Sequence, residues 1–275
     1  MTLDELIIRT KFLMKMHRRL NLASPATFNE KLQWLKLHDR RPEYSRMVDK
    51  VEAKKWAAEK IGEEYIIPNI AVYDSVAEVP WNSLPQKFVL KCAHDSGGVA
   101  VCRDRALFDL VRQRRRIERR SRKNYYHITQ EWPYDSVRPR VLVEEFLEDG
   151  DKGGLRDYKF FCFGGRAHSV MICMDRAVGD PKFYFFDREW NLLRINRRGK
   201  EAPEGFTVAR PEGMDRMFEI AEKLSEGIPF ARVDLYNVGG KIYFGELTLY
   251  PKSGYDKNLL PETDLLLGSL IELPV

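Results

Sequence analysis

The sequence predicts a mixed chain of strands and helices, α+β or α/β, and three observations carry that reading. Eight short β-rich runs follow one another after about residue 65: YIIPNIAVY, KFVLKCA, VLVEEFL, DYKFFCFGG, AHSVMICM, KFYFFD, PFARVDLY and KIYFGELTLY. Residues 1–60 and two later segments carry helical spacing instead. The chain is also long and apolar enough, with 275 residues and 44% hydrophobic side chains, for one large domain or two to three lobes sharing a core.

Each element has its own local justification. TFNEKLQWLKLHDR opens on Thr27, three residues before Glu30, the capping-box pattern in which each side chain takes the other's backbone N–H. DKVEAKKWAAEKIGEE reads as a further helix that stops near Gly62. ALFDLVRQRRRIERRSRK interrupts the first strands as a helix. PEGMDRMFEIAEKLSEG places Met214, Met217, Phe218, Ala221 and Leu224 at helical spacing and ends at Gly227. NVGGK, residues 237–241, is a hairpin turn, because its glycines accept the positive φ that tight turns demand.

Composition excludes several classes. No apolar run approaches the ~18 residues of a membrane helix. Gly (18) and Pro (14) are at ordinary levels, which removes collagenous and disordered chains. MTLDELIIRTKFLMKMHRRL is amphipathic and charged throughout, unlike the uninterrupted apolar stretch of a signal peptide, so a cytoplasmic location is expected. The excess of 46 basic over 41 acidic residues suits an enzyme of anionic substrates and does not by itself indicate a nucleic-acid binder. Cys92, Cys102, Cys162 and Cys173 form no C-x-x-C pair and read as reduced core residues, with no metal-ligand spacing to the five histidines.

The strongest chemical signal is RVDLYNVGGKIYFGELT. Residues two apart share a strand face, so Arg232 and Asp234 point one way on the first strand, and Glu246 and Thr248 point one way on the second. If the two faces coincide, two carboxylates, an arginine and a hydroxyl converge. Such a set suits Mg²⁺ with phosphate oxygens, and the arginine suits a transferring phosphoryl group. Taken alone, it reads first as a cross-strand ion pair on a solvated face. FVLKCAHDSGGVAVC delivers Lys91 toward a loop with Ser96, Gly97 and Gly98, whose backbone N–H groups could approach phosphate; taken alone, it is a hairpin turn. VLVEEFL ends an apolar strand in Glu144 and Glu145, a hinge that could offer polar groups and an apolar wall to adenine, or a strand running out to solvent.

Together and in this order, VDKVEAKK, the lysine and glycine loop, LVEE, R-x-D and E-x-T resemble the ATP-grasp superfamily. TFNEKLQWLKLHDR, FVLKCAHDSGG, LVEEFL, DYKFFCFGG and VDLYNVGGKIYFGELTLYP look more narrowly like the TupA-like ATP-grasp family, over roughly residues 26–258. That family is associated with bacterial cell-surface polysaccharide and teichuronopeptide biosynthesis. The resemblance implies an α+β ATP-grasp fold, two β-rich lobes sandwiching ATP behind a short N-terminal helical region. The expected divisions are 1–48 (helical), 49–145 (central lobe with the glycine loop) and 146–275 (C-terminal lobe with the metal site).

The resemblance also implies roles. Lys50 and Lys91 would hold ATP phosphates under a flap of Ser96, Gly97 and Gly98. Glu144, Glu145 and Leu147 would line the adenine site, with Asp157 on the ribose. Asp234, Glu246 and Thr248 would hold Mg²⁺, and Arg232 would face the γ-phosphate. Lys91, Arg232 and Lys252 are the implied catalytic residues. Thr248 stands where classical ligases carry Asn, and Lys252 where they carry Gly after Pro251. About 48 residues precede the DK pair, where those ligases have a Rossmann-like lobe.

The activity so implied is Mg-ATP-dependent ligation: a carboxylate of an anionic sugar or polysaccharide acceptor becomes an acyl phosphate, and an amine or amino acid attacks it. A kinase acting on a sugar hydroxyl is the first alternative. A glycosyltransferase is the second, from the D-x-D of Asp149-Gly150-Asp151, which otherwise reads as a turn. A polyanion-binding protein with a degenerate ATP site is the third. RQRRRIERRSRK, residues 112–123, is either a solvated helix face or a groove for a polyanion: a uronic-acid polymer, a lipid pyrophosphate or an acidic membrane surface. A peripheral position at the inner membrane face would follow from the last. His94 and His127 read as ordinary polar loop residues.

Overall fold

A computed structural model of the chain describes residues 1–148, 155–174 and 181–274. In chain order they begin with helices α1 (Leu3–Met16), α2 (Phe28–His38), α3 (Glu43–Val48) and α4 (Glu52–Ile61). Strands β1 (Asn69–Tyr73), β2 (Phe88–Cys92) and β3 (Val99–Cys102) come next, then helices α5 (Leu110–Ser121) and α6 (Tyr125–Thr129). Strands β4 (Val141–Glu144), β5 (Asp157–Phe163), β6 (Arg166–Met174), β7 (Lys182–Phe186) and β8 (Leu192–Leu193) lead to helices α7 (Arg197–Glu201) and α8 (Met214–Ser225). The hairpin β9 (Phe230–Val238) and β10 (Lys241–Thr248) and helix α9 (Pro261–Ser269) complete the set. The fold is α+β, and every run that the sequence marked as β-rich contains a strand.

The chain divides into two compact units, Arg41–Glu148 and Met1–Arg40 together with Asp149–Val275. In the first, four antiparallel strands run in the order β1-β4-β2-β3. One sheet face carries Phe88, Leu90, Cys92, Val141 and Val143, packed with Ile117 of α5 and with Val76, Val79, Trp81 and Leu84. The other face carries Lys91, Leu142 and Glu144; there Leu142 packs with Val51, beside the start of α4.

The second unit holds six antiparallel strands in the order β10-β9-β5-β6-β7-β8. Helix α8 covers one face of this sheet: Phe218 stands edge-on to Phe160 at 5.0 Å, and Met214, Met217 and Ala221 are fully buried. On the opposite face, Phe28 of α2 meets Phe230 at 4.8 Å beside Phe163. The expected capping box is present: Glu30 N–H donates to Thr27 Oγ1, and Thr27 N–H donates to Glu30 Oε2. Arg18 adds ion pairs to Glu30 and Asp264, tying the start of α2 to α9. All four cysteines are buried and free, and burial pushes the thiols of Cys92 and Cys162 up to about 11 and about 12.

Candidate functional site

The hairpin of β9 and β10 gathers the first cluster. Gly239 and Gly240 both have positive φ, and Asn237 Oδ1 accepts the Gly240 N–H at 3.0 Å, which closes the turn. From there Phe244 pairs with Leu235, yet Glu246 pairs with Asp234, so one residue, Gly245, is absorbed as a β-bulge. In an unbroken ladder, counting on from the Phe244–Leu235 pair, Gly245 would face Asp234 and Leu247 would face Arg232. The bulge instead places Glu246 opposite Asp234 and Thr248 opposite Arg232, so the two faces coincide.

On that face the Arg232 guanidinium grips Asp234 with two bonds, Nε to Oδ1 at 2.7 Å and Nη2 to Oδ2 at 2.8 Å. The same Nη2 reaches Thr248 Oγ1 at 3.1 Å and Glu246 Oε1 at 3.3 Å. Strand β5 adds a residue that sequence reading missed. Lys159 lies opposite Asp234 and contacts its carboxylate, with Asp157 Oδ2 at 3.6 Å. Its signal was available in DYKFF, where Asp157 and Lys159 stand two apart on one strand face.

Burial pushes the Asp234 carboxyl up, but Arg232 and Lys159 outweigh it and hold the group below its ordinary value. Asp234 is buried, whereas the side chain of Glu246 is 44% exposed. The donors are therefore all oxygens, with one carboxylate open to solvent. That suits Mg²⁺, which takes one or two carboxylates and completes its shell with water and phosphate oxygens. Among the described residues no group of three or more His, Cys, Asp or Glu is placed to hold a metal by itself.

Lys252 is exposed in the turn after β10, where Lys252, Ser253 and Gly254 all adopt positive φ. Two non-glycine residues in that conformation need holding. The holders are fully buried side chains of α2: Lys36 Nζ donates to Ser253 O at 2.7 Å, and Gln33 Nε2 to Gly254 O at 2.7 Å.

In the unit Arg41–Glu148, the DK pair divides its work. Asp49 accepts the Val51 N–H at 2.9 Å and pairs with Arg140 at 2.6 Å, fixing the start of α4. Lys50 then lies beside the glycine loop, its Nζ donating to Asp95 O at 2.5 Å. Lys91 Nζ meets Glu144 Oε2 at 2.5 Å, and the other oxygen of Glu144 takes Lys54 Nζ at 2.6 Å. Lys54 also donates to Ile67 O and Asn69 Oδ1. Burial pushes the Glu144 carboxyl up, and Lys91 and Lys54 together more than reverse it, leaving the carboxyl lowered. The Glu144 carboxylate thus braces two lysines. Glu145 is exposed and pairs its N–H with Pro68 O at 3.2 Å, and Leu147 is half-buried.

The loop Asp95–Val99 lies against α5. Arg116 and Arg120 face it, whereas Arg114 pairs with Glu118 along the helix. Arg112, Arg115, Arg119 and Arg122, at i, i+3, i+7 and i+10, are exposed and make no ion pair among the described residues. His94 is buried with Nε2 at 3.0 Å from Ser121 O, in keeping with a structural role. Asp149-Gly150-Asp151 lies outside the described residues.

Two antiparallel sheets, each with a charged face, are the frame of an ATP-grasp protein. Residues 30–272 match the family model described as TupA-like ATPgrasp, and the chain belongs to that family. Among solved structures it is similar to a D-alanine–D-alanine ligase from Helicobacter pylori, at 13% identity and TM-score 0.47, over 90% of this chain and 70% of that one. It is similar to D-cycloserine synthetase DcsG, at 17% identity and TM-score 0.47, over 90% and 80%. A D-alanine–D-alanine ligase from Bacillus anthracis follows at 15% identity and TM-score 0.44, over 90% and 69%. No curated protein matches the chain.

Proposed function

We propose that this chain is a Mg-ATP-dependent ligase that joins a carboxylate to an amine, and that residues 49–145 hold the nucleotide while 146–275 hold the metal. The observation that carries the reading is the β5–β9–β10 face, where Lys159, Arg232, Asp234, Glu246 and Thr248 converge through strand register. Lys50, Lys91 and the N–H groups of Ser96, Gly97 and Gly98 would bind the phosphates. Glu145 and Leu147 would border adenine, Glu144 would orient Lys91, and Asp157 would take the ribose hydroxyls. Asp234, Glu246 and Thr248 would hold Mg²⁺, which when bound neutralises phosphate charge.

Arg232, fixed by its bidentate bond to Asp234, would meet the charge of the γ-phosphoryl group. An acceptor carboxylate oxygen attacks that phosphorus, the bond to the β-phosphate oxygen breaks, and ADP leaves. The amine nitrogen then attacks the acyl carbon, phosphate departs, and the amine loses a proton. Lys252, exposed after β10, would steady the departing phosphate. The acceptor would be an anionic sugar or polysaccharide, drawn in by the exposed arginines of α5.

Thermal-shift measurements with ATP, ADP, UDP-sugars and oligonucleotides, with and without Mg²⁺, test the nucleotide half. Stabilisation by ATP and ADP, stronger for ATP with Mg²⁺, is expected. Stabilisation by UDP-sugars or oligonucleotides alone would sink the reading. Phosphate release from ATP that requires both a carboxylate and an amine tests the chemistry; release with a sugar hydroxyl alone would make the protein a kinase.

A further inference from the structure

The loop Asp95–Val99 has an unusual account of its backbone carbonyls: all five are taken. Asp95 O accepts from Lys50 Nζ, and Ser96 O accepts from Arg120 Nη2. Gly97 O accepts from Arg116 Nη2 at 3.1 Å, and Val99 O from Arg116 Nη1 at 2.8 Å. Gly98 O accepts the Cys92 N–H at 2.8 Å. In a trans peptide the C=O and the N–H of the following residue point in opposite directions, and no peptide among the described residues is cis. With Ser96 O and Gly97 O turned toward α5, the N–H groups of Gly97 and Gly98 point away from it. Among the described residues those two N–H groups donate to nothing.

We propose that Arg116 and Arg120 are positioning residues: they hold the loop by its carbonyl side and so present the Gly97 and Gly98 N–H groups, already ordered, to phosphate oxygens. The proposal rests on the nucleotide reading above. Three further observations support it. The two arginines stand four apart, hence on one helix face, and Ile117 between them is fully buried in the core beneath the sheet, which anchors that helix. Arg120 is itself fixed by Asp95, whose two carboxylate oxygens it holds and which is 2% exposed. Both glycines are needed: Gly97 has φ +100°, and a Cβ on Gly98 would lie 2.7 Å from Asp95 Oδ2 and 2.9 Å from Cys92 Sγ. Successive N–H groups in such a turn form an anion-binding concavity, here with two guanidinium charges behind it.

The test uses the full chain as wild type, Arg116→Ala, Arg120→Ala and Arg116→Lys. Amide hydrogen exchange over residues 93–100 is followed without nucleotide, and calorimetry measures binding of ATP, tripolyphosphate and adenosine. Arg116 is exposed and, among the described residues, bonds only to the loop and Gln113, so its removal should leave the fold intact. Arg116→Ala should speed loop exchange about tenfold and weaken ATP and tripolyphosphate about tenfold, the range set by charge-assisted hydrogen bonds, with adenosine within about twofold. Arg120→Ala should do the same more strongly, and Arg116→Lys should recover part of both effects. Unchanged exchange in both alanine variants, or faster exchange with unchanged ATP affinity, overturns the proposal. Wild-type binding of tripolyphosphate as tight as ATP sinks the nucleotide reading and leaves the clasp standing. Binding of neither overturns both.

Discussion

The charged face of β5, β9 and β10 and the loop Asp95–Val99 are held in different ways. On the sheet face, Asp157, Lys159, Arg232, Asp234, Glu246 and Thr248 take their places from strand register, and most of them are largely buried. The loop takes its place from the side chains of Arg116 and Arg120, which reach it from more than 15 residues away and stay partly in water. Charge built into a sheet is therefore tied to the stability of the fold. Charge that props up a loop is tied to local order.

The largest effects should separate two acids on one face. Glu246→Gln removes a half-exposed carboxylate and should cut Mg-ATP turnover at least a thousandfold with little change in Tm. Asp234→Asn should be as inactive, and should also lose about 3–5 kcal/mol of stability, because Arg232 and Lys159 would remain buried without their counter-charge. Turnover assays and urea denaturation of both variants check this. If Asp234→Asn keeps wild-type stability, the sheet-built cluster is less tightly coupled than its burial implies.

Glu144 offers the same test in the other unit. Glu144→Gln leaves Lys54 and Lys91 together without an acid and should cost about 3–5 kcal/mol. Its folded pKa is lowered, so the stability it contributes is present above the unfolded carboxyl value of about 4.3 and is lost as pH falls below it. Wild type should lose more stability than Glu144→Gln on acidification from about pH 6 to about pH 3. Equal losses by urea titration would show that the lysines are accommodated in another way.

A smaller effect is expected at Lys91, which is bound on one side by Glu144. Lys91→Ala should weaken ATP by about 1.5–3 kcal/mol, the worth of a charged hydrogen bond, and adenosine far less. Equal losses by calorimetry would contradict a phosphate role. The smallest effect belongs to the outer arginines of α5. Reversing Arg112, Arg115 and Arg119 to Glu spares the loop clasp, should raise the acceptor KM and should leave the KM for ATP unchanged. The change should fade with salt, because exposed charges are screened beyond about 10 Å at 0.1 M. Unchanged acceptor kinetics would leave these arginines a solvated face.

What was legible follows the same division. The capping box at Thr27, the stop at Gly62, the α8 stripe and the Gly239-Gly240 turn are local patterns, and the structure keeps each of them. The i, i+2 pairs of the hairpin are local too. Long-range partners were not legible. Lys54 sits among Lys55 and Lys60 in a stretch that looks solvated, and only the fold brings it to Glu144, 90 positions on. The arginine-rich run reads as one basic surface, and helix geometry together with the loop divides it into a clasp, an ion pair along the helix and an outward row.

The bulge at Gly245 sets an asymmetry between losing a residue and changing one. Deleting Gly245 would bring Glu246 directly after Phe244, and the next rung of the ladder already faces Asp234. The acids would keep their partners in a hairpin one residue shorter. Any side chain at 245, by contrast, would start with a Cβ 2.9 Å from Asp234 O and 3.0 Å from the Tyr236 ring. A homologue with a shortened hairpin should thus retain a working site where one with a substituted bulge does not. The deletion should outperform Gly245→Val in both Tm and ATP turnover, and the reverse ranking would mean that the bend itself, not the pairing it restores, is what the site requires.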